Sequence, residues 1–530
     1  MESTTGKRIV KGALIISLFT LIGRSMGVVQ RLVMARYFGT DMEADAYTLA
    51  FGSIVFTIAL FPQQLLAPFL PLFAERREKE GDAAAWRLAG SVGTLLVAAL
   101  ILVSATGMLL APALAGWASS FTSAATTQLA GRLVRVMMPA AFFIGLSALL
   151  ALLLHAYKRF TLPAMGDTLN KVMLIVCLVL AYRFLGIHGL ALGVVVGAVA
   201  GFALLAFGLR DRFREFRFGV DWRDPALRQL GFLMLPILAS AAIAQVRTII
   251  DYKFASGMAS GSAASINYAR VLVDTLVLLV PTAVGAAIYP FFSDQTAARD
   301  RTTMSETLMR ALRMMVFLFV PITLALIALR TPVVQLLFQR GKFTQDSVAL
   351  TVAPMSYYAA GLTVFAMEIM LMRFYFALKN TLTPAVIGAL CVLVHLAVIL
   401  IFKDSLQNAS MALAATVSKT VKVGVLFVLL GGVLPNLQWR KNGLFLLKML
   451  VAAAVTAAVL IAARRTLNGL MPPLDSAGKL MRLIRLSATI GAAGAAGALS
   501  FAVAAVLLRI EEATAIGTWI GKRVWKRKFV

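Results

Sequence analysis

The chain has 530 residues, of which 60% are hydrophobic and 14% charged, with a mean hydropathy of +0.86. That is more apolar surface than one water-soluble core can enclose, so the composition belongs to an all-α polytopic membrane protein. The formal net charge of +27 would suggest nucleic acid in a soluble protein. Here the lysines and arginines fall mainly in short stretches between apolar runs, where they set topology, and no nucleic-acid partner is expected.

Fourteen apolar runs are long enough to cross a bilayer. The first six cover residues 10–29, 46–73, 88–115, 136–156, 162–182 and 187–209. The opening run follows Lys7, Arg8 and Lys11 in the manner of a signal peptide, but Arg24 stands where a small-residue cleavage site would be needed, so it reads as a retained first span. The second run lies between Asp45 and Glu75 and contains Pro62, Pro68 and Pro71, so it should be bent. A basic stretch, RDRFREFRFGVDWRD at 210–224, separates this half from six further runs at 230–250, 264–289, 314–329, 350–377, 384–402 and 411–431. Two more follow at 444–463 and 486–508, and the chain closes on GKRVWKRKFV, a basic and aromatic tail suited to anionic lipid or to a simple inside signal. With both termini in the cytoplasm, the inner segments carry roughly twice as many Lys and Arg as the outer loops, the sense expected of the positive-inside rule.

The two halves are copies. Pro62 and Pro71 precede LFAERRE, Pro281 and Pro290 precede FFSDQTA, and each pair is offset by 219. AYKRFTLPA at 156–164 and ALKNTLTPA at 377–385 repeat the Lys, Thr, Pro pattern at an offset of 221. Six spans per copy is an even number, so both insert the same way up and are related by an axis along the membrane normal. The expected organisation is a first lobe at 1–209, a cytoplasmic linker at 210–229, a second lobe at 230–432, two extra spans at 433–508 and a basic tail at 509–530.

Ionisable groups inside spans are costly and normally face a wet cavity or a partner. Arg24, Lys171, Arg247, Arg270, Arg373, Lys419 and Lys422 outnumber Asp251, Asp274 and Glu368, so internal pairing cannot neutralise them all. Arg247 with Asp251, and Arg270 with Asp274, are spaced to pair along one helix face; Lys171 can snorkel. Arg24 has no acid in its own span, and Lys419 and Lys422 have none in theirs. Guanidinium groups around a cavity suit phosphate or pyrophosphate, whose oxygens they bind in pairs. Cys177 and Cys391 form no motif, His155, His188 and His395 are scattered, and no metal cluster, nucleophile with a base or phosphate loop is present. The reading from residues alone is a two-lobed secondary transporter of an anionic membrane-resident substrate, with no cofactor and an ion gradient or membrane potential as its energy source. GAAGAAGALS at 491–500 gives the last span a small-residue face, for packing on its neighbour or for a lipid-tail groove.

The runs SLFTLIGRSMGVVQRLVMARYFGTDMEADAYTLAF (17–51), FQRGKFT (338–344) and RFYFALKNTLTP (373–384) resemble the MurJ/MviN family of lipid II flippases. The resemblance implies the fold of the multidrug/oligosaccharidyl-lipid/polysaccharide exporters, in the bacterial inner membrane. It also implies alternating access around a cationic cavity, a polyprenyl-pyrophosphate-linked glycan as substrate and a lipid groove at the last two spans. A monomer in contact with membrane lipids is expected. By the same resemblance Arg24, Arg270 and Arg373 would hold the pyrophosphate and Asp45 would gate or orient an arginine, with Arg31, Arg247, Asp251, Glu368, Lys419 and Lys422 as further cavity charges. The chain departs from the family at Gln30 and Arg31, at Ile58 and Ala59 in place of an Arg pair, and at Ala269. Asp251 matches one residue of the family's sodium site, while His395 and Ile399 stand at two others. Lipid II is the expected cargo, with an exopolysaccharide or O-antigen unit as the alternative and a cation-coupled drug exporter or membrane glycosyltransferase as more distant ones.

Overall fold

The computed structural model describes residues 2–66, 68–297, 300–432, 434–435, 438–470 and 478–514; the basic tail sequence GKRVWKRKFV lies outside them. Apolar runs in a bilayer must satisfy their own backbone, and among the described residues helices do so. The chain begins with α1 (Glu2–Phe38), α2 (Met42–Thr48), a π-helical segment (Leu49–Val55), α3 (Phe56–Leu65), α4 (Phe69–Glu80), α5 (Asp82–Leu109) and α6 (Ala111–Ala118). It continues through α7 (Ala124–Ala156), α8 (Thr161–Leu185), α9 (Ile187–Gly208) and α10 (Pro225–Ser256). Then come α11 (Ser262–Ala297), α12 (Arg301–Ala328), α13 (Arg330–Phe338), α14 (Gln345–Ala377), α15 (Leu382–Leu406), α16 (Ala409–Leu430), α17 (Trp439–Leu470) and α18 (Lys479–Leu507). Among the described residues, twelve helices are long and apolar enough to cross a membrane, counting α2 to α4 as one; α1 and α11 add two further long helices.

Helix lengths repeat with the sequence. Asp82–Leu109 and Arg301–Ala328 both have 28 residues. Ala124–Ala156 and Gln345–Ala377 have 33, Thr161–Leu185 and Leu382–Leu406 have 25, and Ile187–Gly208 and Ala409–Leu430 have 22. The shift in offset from 219 to 221 falls at α13 and the loop after it: α13 has nine residues against eight in α6, and the loop has grown by one more. The turns match as well. Lys158 and Lys379 both adopt positive φ, 59° and 57°, and each is followed by the same closing bond, Arg159 N to Leu154 O at 2.8 Å and Asn380 N to Tyr375 O at 3.0 Å. Gly186 and Gln407, also 221 apart, leave α8 and α15 at φ 51° and 46°.

The second span is the bent one. Pro62 sits inside α3, which ends at Leu65, and α4 begins only at Phe69. Its upper part is wound as a π-helix at Leu49–Val55, a geometry found mostly as local bulges. Gly52 lies within it, and a Cβ there would come within 2.6 Å of the Tyr252 hydroxyl, so the absence of a side chain lets α10 approach.

The chain divides into two compact units, residues 1–264 with 340–343, and residues 265–339 with 344–530. In the first, Phe73, Trp86, Tyr157 and Phe216 form a ring cluster, and the Trp86 indole donates to the Tyr157 hydroxyl at 2.8 Å. Phe216 brings the basic linker into that core, and charge pairs fix it: Arg159 to Asp211 at 2.5 Å, Arg212 to Glu215 at 2.8 Å and to Asp82 at 3.2 Å, and Arg76 to the buried Asp224. Lys342 N also donates to Arg36 O at 2.9 Å, so the RGKF loop is part of this unit. In the second unit, Phe317 of α12, Met449 of α17 and Phe501 of α18 share an apolar core.

Candidate functional site

The charges singled out above fall inside predominantly apolar runs, where a bilayer makes each expensive. In the first unit Arg24 is half-buried on α1, whose Gly23 packs against Thr168 of α8. Arg31 donates to Gly27 O of its own helix at 3.1 Å. Arg247 is half-buried and Asp251 buried on α10. Asp45, expected to orient an arginine, is spent on backbone: its carboxylate accepts from Gly261 N at 2.6 Å and Ala264 N at 2.8 Å. The acceptor caps the amino end of α11, where the unsatisfied N–H groups and the helix dipole favour negative charge. Asp45 and Ala264 are 219 apart, the offset of the repeat, so the start of one copy's second span grips the start of the other's.

In the second unit Arg270 donates to Asp274 at 3.1 Å along α11, with about 40% of the arginine side chain still exposed. The sequence spacing anticipates that pair. It does not anticipate Glu368, which binds both Lys422 at 2.8 Å and Lys419 at 2.9 Å, with 14% of its side chain exposed. The two lysines lack an acid only within their own helix; α14 supplies it. Lys419 also lies over the Phe365 ring at 4.6 Å. The cluster retains one net positive charge.

Arg373 packs its Cγ against Gly285, 3.4 Å from where a Cβ would stand. Gly285 is fifteen residues beyond Arg270 on the same helix, ~22 Å at 1.5 Å per residue, so Arg270 and Arg373 stand at different levels along α11. Lys171 is neutralised by Asp167 at 2.7 Å. Among the described residues no group of His, Cys, Asp and Glu is arranged to hold a metal.

Two cavities accompany these charges. An apolar groove of about 690 Å³ in the first unit lies between α3, α5 and α10, lined by Ile58, Leu65, Leu96 and Met234 together with Trp222 and Arg228. In the second unit a pocket of about 450 Å³ lies against α12 and α17 and contains Arg330, Arg464 and Arg465, none of which the sequence singles out. Between α17 and α18, Gly497 sits where a Cβ would meet Leu460, so that part of the small-residue face is a packing face.

The sequence model of the family described as lipid II flippase MurJ matches residues 34–472. The chain belongs to the lipid II flippase MurJ family. It is 29% identical over 432 residues to a probable lipid II flippase MurJ of Bdellovibrio bacteriovorus, covering 79% of this chain and 82% of that one. It is 28% identical over 466 residues to the lipid II flippase MurJ of Burkholderia cenocepacia, covering 85% and 89%. A solved lipid II flippase MurJ in an inward closed conformation shares the fold with a TM-score of 0.75 at 21% identity, over 94% of this chain and 99% of that one. An inward-facing multidrug resistance MATE family transporter follows with a TM-score of 0.65 at 14% identity, over 78% and 96%. MurJ membership makes the chain a transporter and not an enzyme, as its residues imply.

Proposed function

We propose that this chain flips a polyprenyl-pyrophosphate-linked glycan, lipid II, across the bacterial cytoplasmic membrane by alternating access. The match over 34–472 carries the reading, and the surplus of in-span cations supports it, because a pyrophosphate is the anion a membrane-resident substrate offers. Arg24, Arg270 and Arg373 each take pyrophosphate oxygens as the headgroup crosses. Since Arg373 lies ~22 Å along α11 from Arg270, they act in succession at two depths. The duplication supplies both lobes from one chain, so a monomer suffices, and both termini face the cytoplasm. With no phosphate loop in the sequence, an ion gradient or the membrane potential drives the cycle.

Depletion of the resident lipid II flippase provides the test. The chain should restore growth and lipid II translocation, and Arg24→Ala and Arg270→Ala should each reduce rescue at least tenfold at equal expression. Full rescue by both variants would sink the assignment of these arginines. Ile58 and Ala59, one lining the apolar groove and one buried, carry no charge where the resemblance expects an Arg pair. They favour another polyprenyl-pyrophosphate glycan as the second reading, which predicts export of that glycan with no rescue of the depletion.

A further inference from the structure

We infer that the pocket at α12, α13 and α17 binds the phosphate of an anionic membrane lipid, gripped by Arg330, Arg464 and Arg465 with an acyl chain along Leu324 and Ile461. The three arginines and Asn468 line it together, with Leu324, Ile327 and Ile461 as its apolar wall, and no carboxylate among the described residues does so. Arg464 donates to Ala328 O at 2.6 Å and Arg330 to Ile327 O at 3.0 Å, so two guanidinium groups converge on the last turn of α12. Each uses one of its five donors there, which leaves the rest of the fork for a ligand.

The bland reading is that these arginines only cap the end of α12, whose last carbonyls attract cations. The internal repeat tests it. In the first copy α5 ends in the same turn, Leu110 N to Thr106 O at 2.8 Å against Leu329 N to Ala325 O at 2.8 Å. There a single arginine, Arg135, donates to Met108 O at 3.2 Å, the carbonyl equivalent to that of Ile327. Ala111, wholly buried, occupies the place of Arg330. One guanidinium therefore suffices to cap this turn; the second copy sets two on it and a third, Arg465, beside them in the pocket. The surplus arises beside α17, which has no counterpart in the first copy. Charge concentrated next to an apolar wall on a lipid-facing helix fits a phosphate with a hydrocarbon tail better than a free anion, which would gain nothing from Leu324 and Ile461.

The full-length protein in phosphatidylcholine nanodiscs, titrated with phosphatidylglycerol and read by native mass spectrometry, tests the site. Arg464→Gln with Arg465→Gln should weaken phosphatidylglycerol binding about tenfold, the loss of bidentate phosphate contacts. Arg132→Gln with Arg135→Gln, at the corresponding end of the first copy, should leave it unchanged. Arg465→Gln alone spares both carbonyl caps and should still weaken binding severalfold, which separates ligand loss from misfolding. Equal binding by wild type and both pocket variants overturns the proposal. So does displacement of the lipid by millimolar inorganic phosphate, which would make this a free-anion site. Neither outcome depends on whether the chain carries lipid II.

Discussion

Glu368 holds one part of the second unit's buried charge in balance, because one carboxylate serves Lys419 and Lys422 together. Removing one partner of a buried ion pair leaves an uncompensated charge and costs about 3–5 kcal/mol, whereas exchanging the whole set for apolar groups is often neutral. Glu368→Gln should therefore lower thermal stability in detergent by about 3 kcal/mol, and Glu368→Gln with Lys419→Met and Lys422→Met should recover most of it. A triple variant no more stable than Glu368→Gln would show that the lysines are held by something other than this carboxylate. Asp45 makes the opposite kind of contact, a carboxylate on helix N–H groups. Asp45→Ala should cost about 1–2 kcal/mol through loss of the cap, with Asp45→Asn intermediate, as measured by denaturation midpoint. Both arrangements join residues far apart in sequence, which is why spacing along one helix exposes Arg270 with Asp274 but misses these two.

At the scale of elements, the paired turns offer a measurement that the duplication performs twice. A non-glycine residue in the left-handed region costs roughly 1–2 kcal/mol, and Lys158 and Lys379 sit there at 59° and 57°. Lys158→Gly and Lys379→Gly should each raise stability by about 0.5–1 kcal/mol, net of the greater entropy of glycine in the unfolded chain. Because the turns share no partner, the two gains should add; a loss at either would mean its side chain does more than occupy a turn. The linker has its own dependence, on pH. The Arg159 guanidinium holds the Asp211 carboxyl below its usual range, so the contact's contribution is present above the unfolded pKa of about 3.9 and is lost as pH falls through the lower folded value. A spin label at Phe213→Cys should keep its mobility between pH 5 and 8 and loosen below about pH 4. Proline spacing and the Lys-to-Pro motif made the repeat legible from sequence, and apolar runs located the spans. The π-helical segment at Leu49–Val55 was not legible, nor was the approach of Tyr252 to Gly52 within it, a contact between residues 200 apart in sequence. Nor was the break that separates α6 from α5, or the seating of Phe216 among Phe73, Trp86 and Tyr157, which turns an apparently solvated charge run into an anchored strap.

For the molecule as a whole, the equal helix lengths of the two copies convert a statistical rule about charge into a labelling pattern. The turns at Lys158 and Lys379 end equivalent helices, and those at Gly186 and Gln407 end the helices that follow. If the two copies insert the same way up, as an even number of spans in each predicts, Lys158 and Lys379 share one side of the membrane and Arg183 and Gln407 the other. The proposed orientation, with both termini in the cytoplasm, puts the first side there, in keeping with the positive-inside rule. Lys158, Lys379, Arg183 and Gln407 are all exposed, and neither native cysteine belongs to a motif, so Cys177→Ala with Cys391→Ala gives a background for single cysteines. A membrane-impermeant maleimide added to intact spheroplasts should label Arg183→Cys and Gln407→Cys and spare Lys158→Cys and Lys379→Cys until the cells are opened. The reverse pattern would invert the orientation and place the basic linker outside. Labelling of Lys158→Cys and Lys379→Cys on opposite sides would break the parallel duplication itself, and with it the alternating-access reading that depends on two lobes inserted the same way up.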